Sequence, residues 1–245
     1  MTVAPTPNRA IPGQNTTEQA DATLVDLAEG GVRALNSLLH GTDDGAFRVV
    51  NPNGAHAVAV GLNAPLAVTV EGHVGYYCAG MNKAAQIAVM GNAGTGVAEN
   101  MMSGQVTVHG NASQSAGASA HGGTLVIDGN AAARCAISLK GADIVVGGSV
   151  GHMSAFMAQS GRLLVCGDAG DALGDSIYEA RLYVAGTVKS LGADCVEKEM
   201  RDEHLAEVAV LLARAGFGDV DPVSFRRYGS ARRLYHFEVD NAGAY

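Results

Sequence analysis

The 245-residue sequence has no tryptophan, 5% aromatic residues and only 16% charged residues. No run of about 18 apolar residues occurs, so no segment is long enough to span a bilayer as a helix. Cysteine is sparse as well: Cys78, Cys135, Cys166 and Cys195 form no C-x-x-C pair, which removes the usual zinc-ribbon and redox motifs. The first residues lack a basic-then-apolar signal pattern, and a reducing cytoplasm is therefore the expected compartment. Sixteen Lys and Arg stand against 24 Asp and Glu, giving a net charge of −8. That balance excludes the broad basic surface that a nucleic-acid partner requires. Neither a G-x-x-x-x-G-K-[ST] phosphate loop nor a G-x-S-x-G nucleophile turn is present, and both would be needed for the commonest nucleotide and acyl-transfer chemistries.

What the chain has instead is glycine, 33 residues of it, within a composition that is 47% hydrophobic. The glycines keep time. Short apolar runs end at Gly72, Gly91, Gly110, Gly129, Gly148, Gly167 and Gly186, each 19 residues after the last. Four positions before the glycine stand Val68, Ile87, Val106, Leu125, Ile144, Leu163 and Leu182. Two before it stand Val70, Val89, Val108, Ile127, Val146, Val165 and Val184. An apolar i, i+2 pair is one inward face of a strand. Two positions after the glycine the residues are again small and apolar, from Val74 and Ala93 to Val188, marking a second inward-facing segment beyond a corner. Asn92, Asn111, Asn130 and Asp168 follow the glycine and suit the same corner, where a positive φ would favour glycine. Seven after the glycine come Ala79, Ala98, Gly117, Ala136, Ala155 and Gly174, a second crowded turn.

This repeat predicts an all-β fold, a right-handed parallel β-helix of seven 19-residue coils, with all strands parallel and short helical or irregular caps at the two ends. A doubly wound α/β fold is rejected, although Ile144–Gly151 imitates a dinucleotide-binding turn. Such a unit needs an amphipathic helix and about 30 residues per βαβ repeat. The expected organisation is a flexible leader over 1–23, an N-terminal cap with lead-in strands over 24–65, the β-helix over 66–195, and a C-terminal helix with a tail over 196–245. Val32, Leu35 and Leu39 predict a helix closed by Gly41, while Leu205, Val208, Leu212 and Ala215 predict a second one stopped at Gly216.

Residues of a solenoid cooperate across coils only when they share a slot. Cys78 and Cys135 share one but lie three coils apart, about 14 Å, too far for a disulfide or a common metal. His73, His109, His121 and His152 have no His or Cys in register on the next coil. His109 and Asp128 are the best adjacent pair, expected as an outer-face contact. Met81, Met90, Met101, Met102, Met153 and Met157 are expected to fill gaps between coils. The sequence therefore offers no catalytic residue, no cofactor-binding residue and no metal ligand. The C-terminal stretch interleaves arginine with aromatics, the pattern of a docking tail or of a phosphate-binding loop; docking is the preferred reading, with Phe225, Arg226, Arg227, Tyr228, Arg232, Arg233 and Tyr235 expected to meet a partner subunit.

The strand-Gly-x-Ala-Gly pattern, as in Val89-Met-Gly-Asn-Ala-Gly94, Val146-Gly-Gly-Ser-Val-Gly151 and Val165-Cys-Gly-Asp-Ala-Gly170, resembles the GXGXG domain at the C-terminal end of the glutamate synthase large subunit. The resemblance covers about residues 66–190, with Val150 and Lys189 departing from the small residues usual in the motif. The flanks Val25–Ala28, Arg33–His40, Phe225–Phe237 and Asp240–Tyr245 look like the stand-alone glutamate-synthase-like chain of N-methylglutamate synthases. This resemblance implies a hetero-oligomer with a glutamine-amidotransferase-like chain and a glutamate-synthase-like chain carrying FMN and an iron–sulfur cluster. Such a methylamine–glutamate N-methyltransferase converts glutamate and methylamine to N-methylglutamate and ammonia, and its β-helix chain contributes no catalytic residue. The GXGXG chain of formylmethanofuran dehydrogenase or formyltransferase/hydrolase complexes is the alternative relative of the same domain type.

Overall fold

The computed structural model describes residues 22–232. The strands are β1 (Thr23–Asp26), β2 (Ala46–Val50), β3 (Ala67–Val70), β4 (Gln86–Val89), β5 (Gln105–Val108), β6 (Thr124–Ile127), β7 (Lys140–Val146), β8 (Ser160–Val165), β9 (Arg181–Val184), β10 (Cys195–Lys198) and β11 (Arg226–Ser230). The helices are α1 (Leu27–His40) and α2 (Asp202–Ala215). From β1 to β9 each strand pairs in parallel with the next, the stack of an all-β right-handed parallel β-helix. From β3 to β9 the register is 19, as in Val68↔Ile87 and Leu163↔Leu182, apart from a shift to 20 at Lys140↔Ser160.

The inward i, i+2 pairs are fully buried, and one continuous core runs from Leu35 in α1 to Tyr228 in β11. The segment beyond each glycine narrows to a ladder of single parallel bridges, Val74↔Ala93 through Ala169↔Val188, rather than a full strand. Three corrections concern the ends. Residues 46–65 form a complete coil, with Ala46 paired to Ala67, where the sequence suggests only lead-in strands; two extra residues hide this coil from the 19-residue ruler. The stack is not wholly parallel: β11 enters antiparallel between β9 and β10, and this pair closes the C-terminal edge. Finally, α2 does not cover the end of the cylinder. It lies on the outer face of the sheet, where Val208, Leu211, Leu212 and Ala215 bury a second core with Val126, Val145, Leu164 and Tyr183. Each such aliphatic side chain contributes roughly 1.5–3 kcal/mol by leaving water.

At the other end α1 sets Leu27, Leu35 and Leu39 against the first coil. Asp26 caps it by accepting the Ala28 N–H at 2.8 Å, Gly31 kinks it at φ 69°, and Gly41 donates to the Ser37 and Leu38 carbonyls.

The glycine column has a different cause from the one its position suggests. Of the seven, only Gly72 has a φ in the left-handed region (131°). The others are glycine because the coils touch there. A Cβ on Gly91 would lie 2.7 Å from the carbonyl carbon and oxygen of Gly72, and one on Gly186 would lie 2.5 Å from the Gly167 oxygen. The left-handed residues sit elsewhere, five, seven and nine positions after the glycine: Tyr77, Ala79 and Met81 in one coil, Arg134, Ala136 and Ser138 in another, with φ between 52° and 61°. Each such residue costs on the order of 1 kcal/mol for a non-glycine. Donation to neighbouring coils offsets that cost: Tyr77 N–H reaches forward to Thr95 O at 2.9 Å, Ala79 N–H reaches back to Val58 O at 2.9 Å, and Met81 N–H reaches forward to Glu99 O at 2.8 Å.

Candidate functional site

The residue after each glycine stitches the corner. Backbone N–H groups of Asn92, Asn111, Asn130, Ser149, Asp168 and Thr187 each donate to the side chain one coil earlier: His73 Nδ1, Asn92 Oδ1, Asn111 Oδ1, Asn130 Oδ1, Ser149 Oγ and Asp168 Oδ1, at 2.7–2.9 Å. His73 and the asparagines are thus committed to holding the stack.

His109 and Asp128 meet as expected, Nδ1 to Oδ2 at 2.7 Å, but they are half-buried rather than exposed, with about 15% of each side chain reaching solvent. An imidazole oriented by a carboxylate is half of a proton-transfer arrangement; no nucleophile is placed at its other nitrogen among the described residues. Cys78, Cys135 and Cys195 form no disulfide. Burial pushes the thiols of Cys78 and Cys135 up to about 12 and that of Cys195 to about 11, so all three stay protonated and unreactive near neutrality. Among the described residues no three His, Cys, Asp or Glu side chains converge to hold a metal, and the four cysteines do not fit an iron–sulfur cluster. No described helix is long and apolar enough to cross a membrane. Of the methionines, Met101 is buried as a gap-filler, whereas Met81, Met90, Met102 and Met157 are exposed, a correction to the packing expected of them.

The densest polar cluster joins α2 to the sheet. Arg162 Nε donates to Asp143 Oδ1 at 2.6 Å and its Nη1 to Glu207 Oε1 at 2.9 Å. Arg214 bonds Thr124 Oγ1 at 2.7 Å and Asp143 at 3.3 Å, Arg181 pairs with Glu207 at 3.1 Å, and the Tyr183 hydroxyl donates to Glu207. Burial raises the Glu207 carboxyl, but the Tyr183 hydroxyl and the two arginines outweigh it and leave the group below its ordinary value. The Tyr183 hydroxyl is pushed upward, first by burial and then by Glu207. Every carboxylate here is neutralised by its own arginines, so this is a clamp on α2 and not a reactive centre.

The arginine- and aromatic-rich segment is divided between two buried cores and the surface. Phe225 and Tyr228 are 3% and 2% exposed, one in the core under α2 and the other in the solenoid core. These side chains, expected to dock a partner, are packed within their own chain. Of the intervening arginines, Arg226 shares the Tyr228 face of the strand and Arg227 the opposite one. Arg226 is half-exposed near Glu197 at 3.8 Å, Arg227 donates to Glu199 O at 3.0 Å, and Arg232 pairs with Asp194 beside a small cleft lined by Met157, Ile177 and Tyr178. Arg233 and Tyr235 lie outside the described residues. A row of cationic side chains on the terminal strand pair is the candidate functional surface of this fold. The α2 clamp and this inward–outward split escape sequence reasoning, although the change from Thr69, Ala88 and Thr107 to Val126, Val145, Leu164 and Tyr183 in one outward column marks where α2 sits.

No family model matches the sequence. The chain is 62% identical over 226 residues to Protein GlxC of Rhizobium meliloti (strain 1021), a match that covers 91% of this chain and 99% of that protein. With that identity across nearly the whole of both sequences, the chain belongs to the family of Protein GlxC.

Proposed function

We propose that this chain is the non-catalytic structural and assembly subunit of a glutamate-synthase-like complex, specifically of an N-methylglutamate synthase. The observation that carries the reading is the regular 19-residue glycine solenoid, whose side chains are committed inward to packing and at the corners to stitching coils. A rigid wall of this kind suits holding two other chains in fixed relation, one glutamine-amidotransferase-like and one carrying FMN and an iron–sulfur cluster. Arg226, Arg227 and Arg232 supply the cationic contacts at the C-terminal edge. In this reading the flavin and cluster chemistry belongs wholly to the partner chain, and this chain contributes position.

The test is reconstitution. The purified chain should show no flavin absorbance and no turnover of glutamate with methylamine, and adding it to the two other chains should restore activity. Turnover by the chain alone defeats the proposal. Arg226→Ala with Arg232→Ala should weaken assembly while leaving the circular-dichroism strand signal intact, and unchanged assembly would remove the docking role from these arginines.

A further inference from the structure

We infer that Tyr76, Tyr77 and Glu99 form a second docking surface, on the first regular coils of the solenoid, that takes an arginine side chain of a partner protein. Tyr76 and Tyr77 are 52% and 50% exposed in a chain with 5% aromatic residues. Stacking does not require them there: the next two coils carry Thr95 and Gly96, then Gln114 and Ser115, at the same two places. The rings are nonetheless held. Tyr76 stacks on His56 with centroids 4.5 Å apart, the Tyr76 backbone N–H donates to His56 Nδ1 at 2.8 Å, and Tyr77 stands edge-on to Tyr76 at 6.5 Å and 80°. Neighbouring aromatic rings that are fixed in place and left in water are the mark of a contact made with another molecule.

Charge selects the occupant. Gly96 leaves a gap beside Tyr77: an ideal Cβ there would lie 2.7 Å from Tyr77 Cδ1 and 2.9 Å from Glu99 Oε2. Ring and carboxylate therefore border one small space, inside the about 6 Å over which an aromatic face holds a cation. Glu99 has no ion pair and no side-chain hydrogen bond among the described residues, Lys83 included, so its charge is left for a cation from outside. A guanidinium suits both walls, since it stacks on aromatic rings and hydrogen-bonds a carboxylate at once. Met81, 54% exposed, donates its N–H to Glu99 O at 2.8 Å, which sets an apolar neighbour where the methylene stem of the arginine would run. A free cation would gain little at rings half open to water; an arginine carried by a partner chain brings that chain's further contacts with it. This surface is acidic and aromatic where the C-terminal edge is cationic, and it extends the assembly reading without depending on Arg226, Arg227 or Arg232.

The experiment uses the full chain labelled with fluorotyrosine, with the Tyr77 fluorine resonance assigned through Tyr77→Phe, and follows that resonance as acetyl-Gly-Arg-Gly-amide is added. A saturable shift is expected, and none with the citrulline counterpart, which keeps the shape and loses the charge. Glu99→Gln should weaken the binding about threefold or more, whereas Glu179→Gln, on a distant coil and exposed, should leave it unchanged. Equal shifts with both peptides, no saturable shift, or undiminished binding by Glu99→Gln each overturns the proposal, whether or not the chain assembles with the two partners named above. With a benzoylphenylalanine photo-cross-linker in place of Tyr77 in the chain made in its own cells, the cross-link should map to an arginine-bearing segment of another protein; no cross-link, or one confined to this chain, overturns it as well.

Discussion

Replacing Gly129 with alanine puts a methyl group where an ideal Cβ lies 2.5 Å from Oδ1 of Asn111, 2.8 Å from the carbonyl oxygen of Gly110 and 3.1 Å from Asn111 Cγ. Ordinary contacts need more room, so either the coil lifts or the asparagine moves. Lifting stretches the 3.0 Å bond from Gly129 N–H to Gly110 O, and moving the asparagine breaks the 2.8 Å bond from Asn130 N–H to Asn111 Oδ1. Overpacking of this kind costs about 1–3 kcal/mol and a lost hydrogen bond about 1 kcal/mol. The sum, about 2–4 kcal/mol, corresponds to a fall in melting temperature on the order of 4–16 °C for a chain of this size. Gly218→Ala is the control, since a Cβ there meets nothing within 4 Å. Thermal denaturation followed by circular dichroism measures both. The sign is what discriminates. Gly129 is not held at a left-handed φ, so without the stacking contact the alanine would stabilise by about 0.4–1 kcal/mol through the unfolded chain. A Gly129→Ala protein as stable as the control refutes the close-stacking account of the glycine column.

Other outcomes follow from the same structure. Cys78, Cys135 and Cys195 should resist a thiol reagent at pH 8 in the native chain and react fully in denaturant, because burial keeps their thiols protonated well above the measuring pH; rapid native labelling of any of them contradicts their burial. His204 is held below its ordinary value, first by burial and next by Arg227, and its Nδ1 accepts the Arg201 N–H at 3.1 Å to cap α2. A neutral-favouring histidine contributes its full stability above the unfolded value of about 6.5 and loses it as pH falls below that, so amide exchange in α2 should accelerate as the pH drops below about 6.5, and His204→Gln should remove that dependence. Glu207→Gln should loosen α2 by about 1–3 kcal/mol, because Arg162 and Arg181 lose the negative charge they pair with and one of the two carboxylate oxygens that serve Arg162, Arg181 and Tyr183 becomes a donor. Hydrogen exchange should then rise in α2 while β3–β5 stay protected; uniform exchange would mean that α2 and the coils unfold as one unit.

How far the sequence discloses this molecule depends on the length scale of each signal. The seven coils are legible because Val68 and its six successors recur at one interval, and a constant interval admits one stacked register. The coil over 46–65 breaks that interval by two residues and carries Asn51 where the others carry glycine, so it hides. The left-handed run is invisible for another reason: Tyr77, Arg134 and Met153 are poor advertisements for a positive φ, which the bonds from neighbouring coils impose on them. Helix α2 is readable in its own spacing, but its seat is written on the sheet, in Val126, Val145, Leu164 and Tyr183. The C-terminal segment is harder to read, because Phe225 and Tyr228 are buried on opposite sides of the chain, under α2 and in the solenoid core, and its arginines are the side chains that keep contact with solvent. Arg233 and Tyr235 lie outside the described residues, and their docking role stands on composition.

Native mass spectrometry of the chain isolated from its own cells tests the assembly role most directly. An assembly subunit should appear bound to two other kinds of chain, one of them bearing flavin, and the flavin should leave with that chain on dissociation. A chain that runs alone and turns over glutamate with methylamine, or that keeps the flavin for itself, contradicts it.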